Sequence, residues 1–247
     1  MAAMVWTQVV EARPFAAERV VCFPHAGGSP YFFRSWGKGL GAYEVQAICY
    51  PGRAERFSED CAEQLVPMAR EIAAEMLASG DERPTAFFGH SMGAIVAYEV
   101  VRALEEAGSG VGHLFASGAR APHLMAGDPV AAAAWDEASI ARTLVELGGT
   151  EPELLNNRAF VELVMPYIGA DFRLLAAYEG QPRPPLDCPV TAIVGASDPR
   201  VTTAQSGAWR ESTRGPFGAL TVPGEHFYLA EEPPFALIEE TLRASRG

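Results

Sequence analysis

The segment Gly89-His90-Ser91-Met92-Gly93 constrains this chain most, because it joins two stretches that predict different secondary structures. Before it, the apolar run Pro84–Phe88 is typical of a buried strand, and after it, Ala94–Leu104 has the periodicity of a helix. A G-x-S-x-G motif between a strand and a helix predicts a sharp turn that exposes the serine hydroxyl at the edge of a sheet. Ser91 is therefore the candidate nucleophile.

A serine nucleophile needs a base that takes its proton and a carboxylate that orients the base. In folds with this turn the partners follow in the order serine, acid, histidine, so the base is expected after Ser91. His226 follows the strand-like segment Phe217–Val222, on a loop that can return to the serine. Of the other two histidines after Ser91, His113 lies within an apolar run, as structural histidines do, and His123 lies in a predicted surface loop.

The candidate acid is Asp198, which follows the predicted buried strand Pro189–Val194. An aspartate before a proline is also common in turns that have only a structural role. Asp128 and Asp187 are the nearest rivals, but both lie beside prolines and neither is clearly at the end of a strand. We therefore predict that Asp198 accepts a hydrogen bond from His226.

Transition-state stabilisation needs two backbone N–H donors, one from the residue after the nucleophile and one from a loop after an early strand. Met92 follows Ser91, and the glycine-rich loop Pro24–Ser29 follows the predicted strand Arg19–Phe23. The amides of Ala26 and Met92 are thus the predicted oxyanion hole. A phosphate-binding loop is disfavoured, since no G-K-[ST] follows and the G-x-G-x-x-G spacing is absent.

Composition excludes several other classes of protein. The net charge of −12 argues against nucleic acid and anionic membrane as partners. The sequence has no run of 18 or more apolar residues, so no membrane span is predicted. The N-terminal residues do not have the pattern of a secretory signal. The four cysteines show no paired spacing and no metal-ligand cluster, which predicts free thiols, a cytoplasmic protein and no metal.

Strand-like and helix-like segments alternate along the chain, which predicts an α/β-hydrolase fold with a mostly parallel sheet flanked by helices. We expect residues 1–247 to form a single domain. The alternation stops over about 119–185, between the strand near 111–117 and the strand near 189–194, and predicts an inserted helical lid. Its helical segments are Asp136–Leu147 and Asn157–Tyr178, the second interrupted at Pro166 and Gly169. The remaining predicted elements are helices near Tyr31–Leu40, Ala62–Ala78, Ala204–Glu211 and Pro234–Ser245 and a strand near Glu44–Cys49.

The apolar residues of the predicted lid either line an acyl pocket or pack the lid on the core. The residues predicted to bind substrate are His25, Phe160, Met165, Phe172 and Phe227.

Four segments together resemble the type II thioesterases, the stand-alone partners of polyketide synthases and non-ribosomal peptide synthetases: Phe23–Ser29, Tyr50–Arg56, Gly89–Gly93 and Gly224–Phe227. The resemblance implies the same triad and oxyanion hole, and a mobile lid over a channel for the phosphopantetheine arm of a carrier protein. It further implies that acyl or peptidyl carrier domains and small acyl thioesters are the partners. The enzyme would need no cofactor, because the substrate carries the phosphopantetheine, and would clear stalled or wrong acyl groups.

Two alternatives from other classes stay open at this point. One is a general carboxylesterase or peptidase on the same fold, and the other is a non-catalytic module that binds carriers. Type I thioesterase domains often carry the acid after the strand before the lid, but Ser117-Gly-Ala-Arg120 has no carboxylate there. Arg53 and Arg56 lie on a loop between a strand and a helix, where they either form structural ion pairs or dock a carrier.

Overall fold

Seven strands form one sheet in the computed structural model, which describes residues 6–126, 136–148, 153–181 and 183–245. The strand order is β1-β3-β2-β4-β5-β6-β7, with β1 antiparallel to β3 and the other pairs parallel. The predicted mostly parallel sheet is therefore confirmed. The strands are β1 (Thr7–Glu11), β2 (Arg19–Phe23), β3 (Glu44–Ile48), β4 (Thr85–His90), β5 (His113–Ser117), β6 (Val190–Gly195) and β7 (Phe217–Val222).

Helices cover both faces of this sheet, as a parallel sheet requires because its strands are apolar on both sides. They are α1 (Trp36–Gly39), α2 (Leu65–Ala78), α3 (Met92–Glu106), α4 (Glu137–Glu146), α5 (Arg158–Ala176), α6 (Thr203–Gly207), α7 (Tyr228–Glu231) and α8 (Phe235–Ala244). Every residue of β2 to β6 is buried. On β2, Val21 and Phe23 pack with α2 and α3, whereas Val20 and Cys22 pack with α1 and α8.

The two helical segments predicted for the lid correspond to α4 and α5, which lie between β5 and β6 in the sequence. The predicted interruptions at Pro166 and Gly169 are wrong, since α5 continues through both. Pro166 removes one backbone hydrogen bond, but the helix buries Val164 and Ile168 on either side of it against α4. A Cβ at Gly169 would lie 3.3 Å from Cδ1 of Ile140, so glycine here permits the close approach of the two helices. The single domain and the lid limits of 119–185 stay predictions.

Three other elements differ from their sequence predictions. The predicted helix Tyr31–Leu40 divides into a 3₁₀ turn at Pro30–Phe33 and α1. The edge strand β1 was not predicted, because its alternation is weak and its pairing with β3 orders it. The predicted helix Ala204–Glu211 divides into α6 and a 3₁₀ turn at Ala208–Ser212.

Candidate active site

Ser91 lies at the sharp turn that connects β4 directly to α3. Its backbone has φ 54° and ψ −121°, a conformation that residues other than glycine rarely adopt. Its N–H donates to the Ser117 carbonyl at 2.8 Å, which ties the turn to the end of β5. A Cβ on Gly93 would lie 2.0 Å from the carbonyl oxygen of Phe23, so glycine is needed for α3 to start against β2. The predicted strand–turn–helix context of the G-x-S-x-G motif is therefore present.

The predicted acid and base are hydrogen-bonded to each other. His226 Nδ1 lies 2.8 Å from Asp198 Oδ2, and both side chains are almost fully buried. The other carboxylate oxygen of Asp198 accepts from the backbone N–H groups of Arg200 at 2.8 Å and Val201 at 3.1 Å, which fixes the carboxylate on its loop. His226 Nε2 is buried and has no hydrogen-bond partner among the described residues, so it is available to accept a proton.

Ser91 and His226 line the same cavity. Loops from the carboxyl ends of the strands form one wall, and apolar side chains of the insertion form the other. The insertion contributes Leu144, Leu147, Phe172 and Leu175. An apolar wall beside a serine and a histidine suits the burial of an acyl chain next to the reacting atoms.

The rival residues lie elsewhere. Asp187 is exposed and pairs with Arg214 at 3.0 Å, near the amino end of β6 and thus at the opposite edge of the sheet. His113 begins β5, and its Nε2 lies 2.8 Å from the Thr191 hydroxyl. His123 lies 3.6 Å from Glu211 on the surface. Asp128 lies outside the described residues.

One predicted oxyanion donor lines the same cavity as Ser91, and the other follows Ser91 in the chain. Ala26 lines the cavity with Ser91, on a turn closed by a 2.8 Å hydrogen bond from Gly28 N–H to the His25 carbonyl. Met92 is the first residue of α3, so its N–H is one of those that have no partner within a helix. The assignment of these two amides stays a prediction.

Three of the five residues predicted to bind substrate line the cavity, and two do not. His25, Phe172 and Phe227 face it together with Ser91. Phe160 packs against the cluster between α4 and α5, and Met165 lines a separate cleft formed by those helices. Helical periodicity identifies the apolar residues of a helix, but it does not say which of two neighbouring cavities a side chain lines.

Three histidine rings lie close together at the site. The ring centroid of His90 is 5.0 Å from that of His226 and 6.0 Å from that of His25. Burial lowers the pKa of His25 to about 3, with the neighbouring His226 and Arg53 acting in the same direction. Burial also lowers the pKa of His90 well below its ordinary value. Both rings are therefore neutral at pH 7, and neither places a positive charge beside His226.

Sequence reasoning missed the residues that support these rings. His90 Nδ1 lies 2.9 Å from the Ser117 hydroxyl, which lies 2.7 Å from the Tyr228 hydroxyl. A Cβ at Gly118 would lie 2.7 Å from Cε1 of His90 and 3.3 Å from Cε1 of His226, so glycine lets these rings approach the end of β5. The position of Gly118, directly after a predicted strand, was the one signal that could have drawn attention to it.

The arginines of the Tyr50–Arg56 segment are both buried and paired with carboxylates. Arg53 is 2% exposed and pairs with Asp171, and Arg56 is 4% exposed and pairs with Glu59. Neither guanidinium is presented to the surface. This favours the structural role over carrier docking for both residues.

The model of the thioesterase domain family matches residues 18–244 of the chain. This match includes the Ser91 turn, the Asp198–His226 pair and the insertion between β5 and β6. The chain belongs to the thioesterase family.

Relatives of this thioesterase share much of its sequence. It is 36% identical over 230 residues to thioesterase PikA5 of Streptomyces venezuelae, covering 92% of this chain and 81% of that protein. A protein of Streptomyces griseus named "Probable cadicidin biosynthesis thioesterase" is 36% identical over 216 residues, which is 87% of this chain but 59% of that protein's length.

The fold of this thioesterase is similar to that of BorB, described as the type II thioesterase from the borrelidin biosynthetic cluster. The TM-score is 0.86 at 34% identity, and the match covers 98% of this chain and 99% of BorB. The predicted α/β-hydrolase fold, the resemblance to type II thioesterases and the predicted enzyme class, a hydrolase acting on thioesters, are confirmed.

The described residues contain neither a candidate membrane span nor a candidate metal cluster. No described helix of this thioesterase is both long and apolar enough to span a membrane. Among the same residues, no group of three or more His, Cys, Asp or Glu side chains is arranged to hold a metal ion.

Proposed function

We propose that this thioesterase hydrolyses acyl groups from the phosphopantetheine arm of acyl or peptidyl carrier domains and so removes stalled or aberrant units. The biosynthetic setting would be polyketide or non-ribosomal peptide synthesis. The names of relatives support this setting, since BorB comes from a borrelidin biosynthetic cluster. The observation that carries the chemistry is the buried Asp198–His226 pair, whose histidine lines one apolar cavity with Ser91.

Ser91, His226 and Asp198 form the proposed catalytic triad. Asp198 orients His226 and stabilises the imidazolium that forms when His226 takes the proton of the Ser91 hydroxyl. The serine oxygen attacks the thioester carbonyl carbon, and the carbonyl oxygen becomes an oxyanion. The C–S bond then breaks, His226 returns its proton to the departing thiolate, and an acyl-serine remains.

The second half of the proposed reaction consumes one water. His226 takes a proton from the water, the resulting hydroxide attacks the acyl-serine carbonyl, and the proton passes to the Ser91 oxygen as the free acid leaves. The amides of Ala26 and Met92 would stabilise the oxyanion in both halves, and loss of one such donor typically raises a barrier by about 3 kcal/mol. Neither half requires a metal or a resident cofactor, since the phosphopantetheine arrives with the substrate.

The insertion has the proposed role of a lid over the acyl chain. Phe172 and Leu144 would contact the chain, while His25 and Phe227 would line the path toward Ser91, because all four border the cavity. The four cysteines are free thiols, three of them buried. This supports a cytoplasmic location, since reducing compartments keep thiols unpaired.

The test of this function is to present one short acyl group in three forms: as an acyl carrier protein thioester, as a small thiol thioester and as an oxyester. We expect the highest kcat/KM for the carrier-bound thioester, because contacts with the carrier add binding energy to the same chemistry. Ser91→Ala serves as the control that reports any hydrolysis independent of the site.

Equal or faster cleavage of the oxyester would favour a general esterase over a thioesterase that edits carriers. Absence of turnover of all three substrates, with the carrier still bound, would favour a non-catalytic carrier-binding module.

A further inference from the structure

A buried carboxylate of the insertion contacts the loop that carries the predicted oxyanion donor. Asp171 lies on α5 and is 5% exposed. Its Oδ2 accepts from the N–H of Gly27 at 2.7 Å, one residue after Ala26. The contact joins residues 144 positions apart, so it bridges the insertion and the loop after β2.

The same carboxylate forms an ion pair with Arg53. One guanidinium nitrogen donates to Asp171 Oδ1 at 2.7 Å and the other to Oδ2, so the pair is bidentate. Burial alone would lower the pKa of Arg53, but attraction and hydrogen bonding to Asp171 outweigh it and the pKa is raised above its usual value. Arg53 also donates to the backbone carbonyls of Gly28 at 3.4 Å and Pro51 at 3.3 Å. The two side chains thus hold this backbone at two points: Asp171 accepts from the Gly27 N–H, and Arg53 donates to the Gly28 carbonyl.

The backbone conformation shows which part of the loop this anchor fixes. The segment His25–Gly28 forms a four-residue turn with φ +78° at Gly27, the positive angle that a type II turn requires at its third residue. In the alternative type I turn, the peptide between Ala26 and Gly27 is rotated and its N–H points the other way. Acceptance of the Gly27 N–H by Asp171 therefore selects one orientation of the Ala26–Gly27 peptide, and so fixes the turn on which the Ala26 N–H lies.

Packing places α5 directly on this turn. A Cβ at Gly27 would lie 2.8 Å from Cγ1 of Ile168, so the helix touches the turn with no room for a side chain. The ring of Tyr167 stacks on the Arg53 guanidinium at 4.9 Å. Three contacts within little more than one turn of α5, from Tyr167, Ile168 and Asp171, make this helix part of the support of the loop.

The charge of the pair matters for the oxyanion. A lone carboxylate one residue from Ala26 would repel the negative charge that develops on the substrate, and the low-dielectric interior would strengthen the repulsion. The Arg53 guanidinium offsets the charge of Asp171, so the anchor can be strong without opposing the reaction.

We propose that Asp171 and Arg53 are positioning residues that hold the turn carrying the Ala26 amide in place beside the cavity, so that docking of α5 assembles the oxyanion hole. This rests on the proposed function in one respect, the role of Ala26 as an oxyanion donor. The pair acts through the loop and does not touch the reacting atoms.

Asp171→Asn tests the proposal with a small thiol thioester, so the carrier plays no part. The asparagine can still accept from Gly27, but it loses the charged bidentate pair with Arg53. We expect kcat to fall by about 10- to 100-fold, as for other small displacements at active sites. The affinity for the matching non-hydrolysable acyl-pantetheine amide should stay at the wild-type value, because the ground state makes little use of the oxyanion hole.

Glu99→Gln is the matched control. Glu99 is also a buried carboxylate that pairs with an arginine, Arg183, and it also accepts from a group near the insertion, the Tyr178 hydroxyl at 2.7 Å. It does not touch the His25–Gly28 turn, so kcat should stay at the wild-type value in this variant.

Equal loss of kcat in the two variants, or a loss that matches the unfolded fraction measured by circular dichroism, would overturn the proposal. So would a fall in amide affinity as large as the fall in kcat, since it would assign the pair to substrate binding. If Asp171→Asn does not fold, Arg53→Lys gives the same comparison, because lysine keeps the positive charge but cannot form the bidentate contact with Asp171. A wild-type enzyme without thioesterase activity would instead contradict the proposed function, before any variant is compared.

Discussion

Ser91 holds a strained backbone conformation that its neighbours compensate. Residues at such positive φ values cost about 1 to 3 kcal/mol each and persist only where the surroundings fix them. Here the Ser91 N–H donates to Ser117, and Gly89 and Gly93 allow backbone contacts that no side chain would permit. The strain is consistent with a hydroxyl that must project from the sheet toward His226.

Asp198→Asn isolates the role of the acid at this scale. The asparagine oxygen can still accept from the N–H groups of Arg200 and Val201, so the loop should keep its conformation. Its NH₂ group would then donate to Nδ1 of His226. The ring proton would move to Nε2, which could no longer accept the proton of Ser91. We expect kcat to fall by about 10⁴-fold with little change in stability, measured by steady-state hydrolysis and urea denaturation.

Asp187→Asn provides the comparison, since Asp187 is exposed and pairs with Arg214 at the opposite edge of the sheet. Its kcat should equal that of the wild type. Comparable losses in the two variants would remove Asp198 from the triad.

The sequence was informative about side chains that a short motif places at strand ends. Ser91, Asp198 and His226 each follow a recognisable strand, so alternation of strands and helices was enough to nominate them. Asp171 gave no such signal, because it lies within a helix and its partners are 118 and 144 positions away. Only the packing of α5 on the His25–Gly28 turn reveals it.

The connection between β4 and α3 depends on the close approach of α3 to the end of β2. Gly93→Ala would place a methyl group 2.0 Å from the carbonyl oxygen of Phe23, and a backbone oxygen cannot move as a flexible side chain can. We expect the free energy of unfolding to fall by about 3 kcal/mol or more, with loss of activity as the Ser91 turn shifts. Urea denaturation and steady-state hydrolysis measure the two effects.

Gly207→Ala is the matched substitution at the end of α6. A Cβ there meets nothing within 4 Å. The variant should be neutral or gain up to about 1 kcal/mol, because alanine loses less conformational freedom on folding than glycine. Equal stability of the two variants would mean that the α3–β2 contact is looser than the structure indicates.

Elements formed by their own sequence pattern were predicted better than elements formed by their neighbours. The buried strands and α3 have strong apolar patterns, and their bounds differ little from the prediction. Strand β1 is ordered by pairing with β3, and α5 continues through Pro166 because its two halves pack on α4. Neither tertiary effect is encoded in local propensity.

At the scale of the molecule, parallel strand order brings distant loops to one edge. Strands β2, β4, β5, β6 and β7 are neighbours in the sheet, so the loops after them meet at their carboxyl ends. This places Ala26, Ser91, Gly118, Asp198 and His226 together although they span 200 positions of the chain. The position of the site was therefore predictable from topology. Which side chains of α4 and α5 line the cavity of Ser91, and which line the separate cleft between the two helices, was not.

The acyl group bound to Ser91 is the direct test of the central claim, that this thioesterase acts through an acyl-serine in the cavity of Asp198 and His226. The wild type and Ser91→Ala would be mixed with a short acyl-pantetheine thioester, quenched at successive times and digested for mass spectrometry. We expect the mass of the acyl group on the peptide that contains Ser91, rising and then decaying as free acid appears. Ser91→Ala should show neither adduct nor turnover. Turnover by Ser91→Ala at the wild-type rate, or an acyl group on another residue, would contradict the claim.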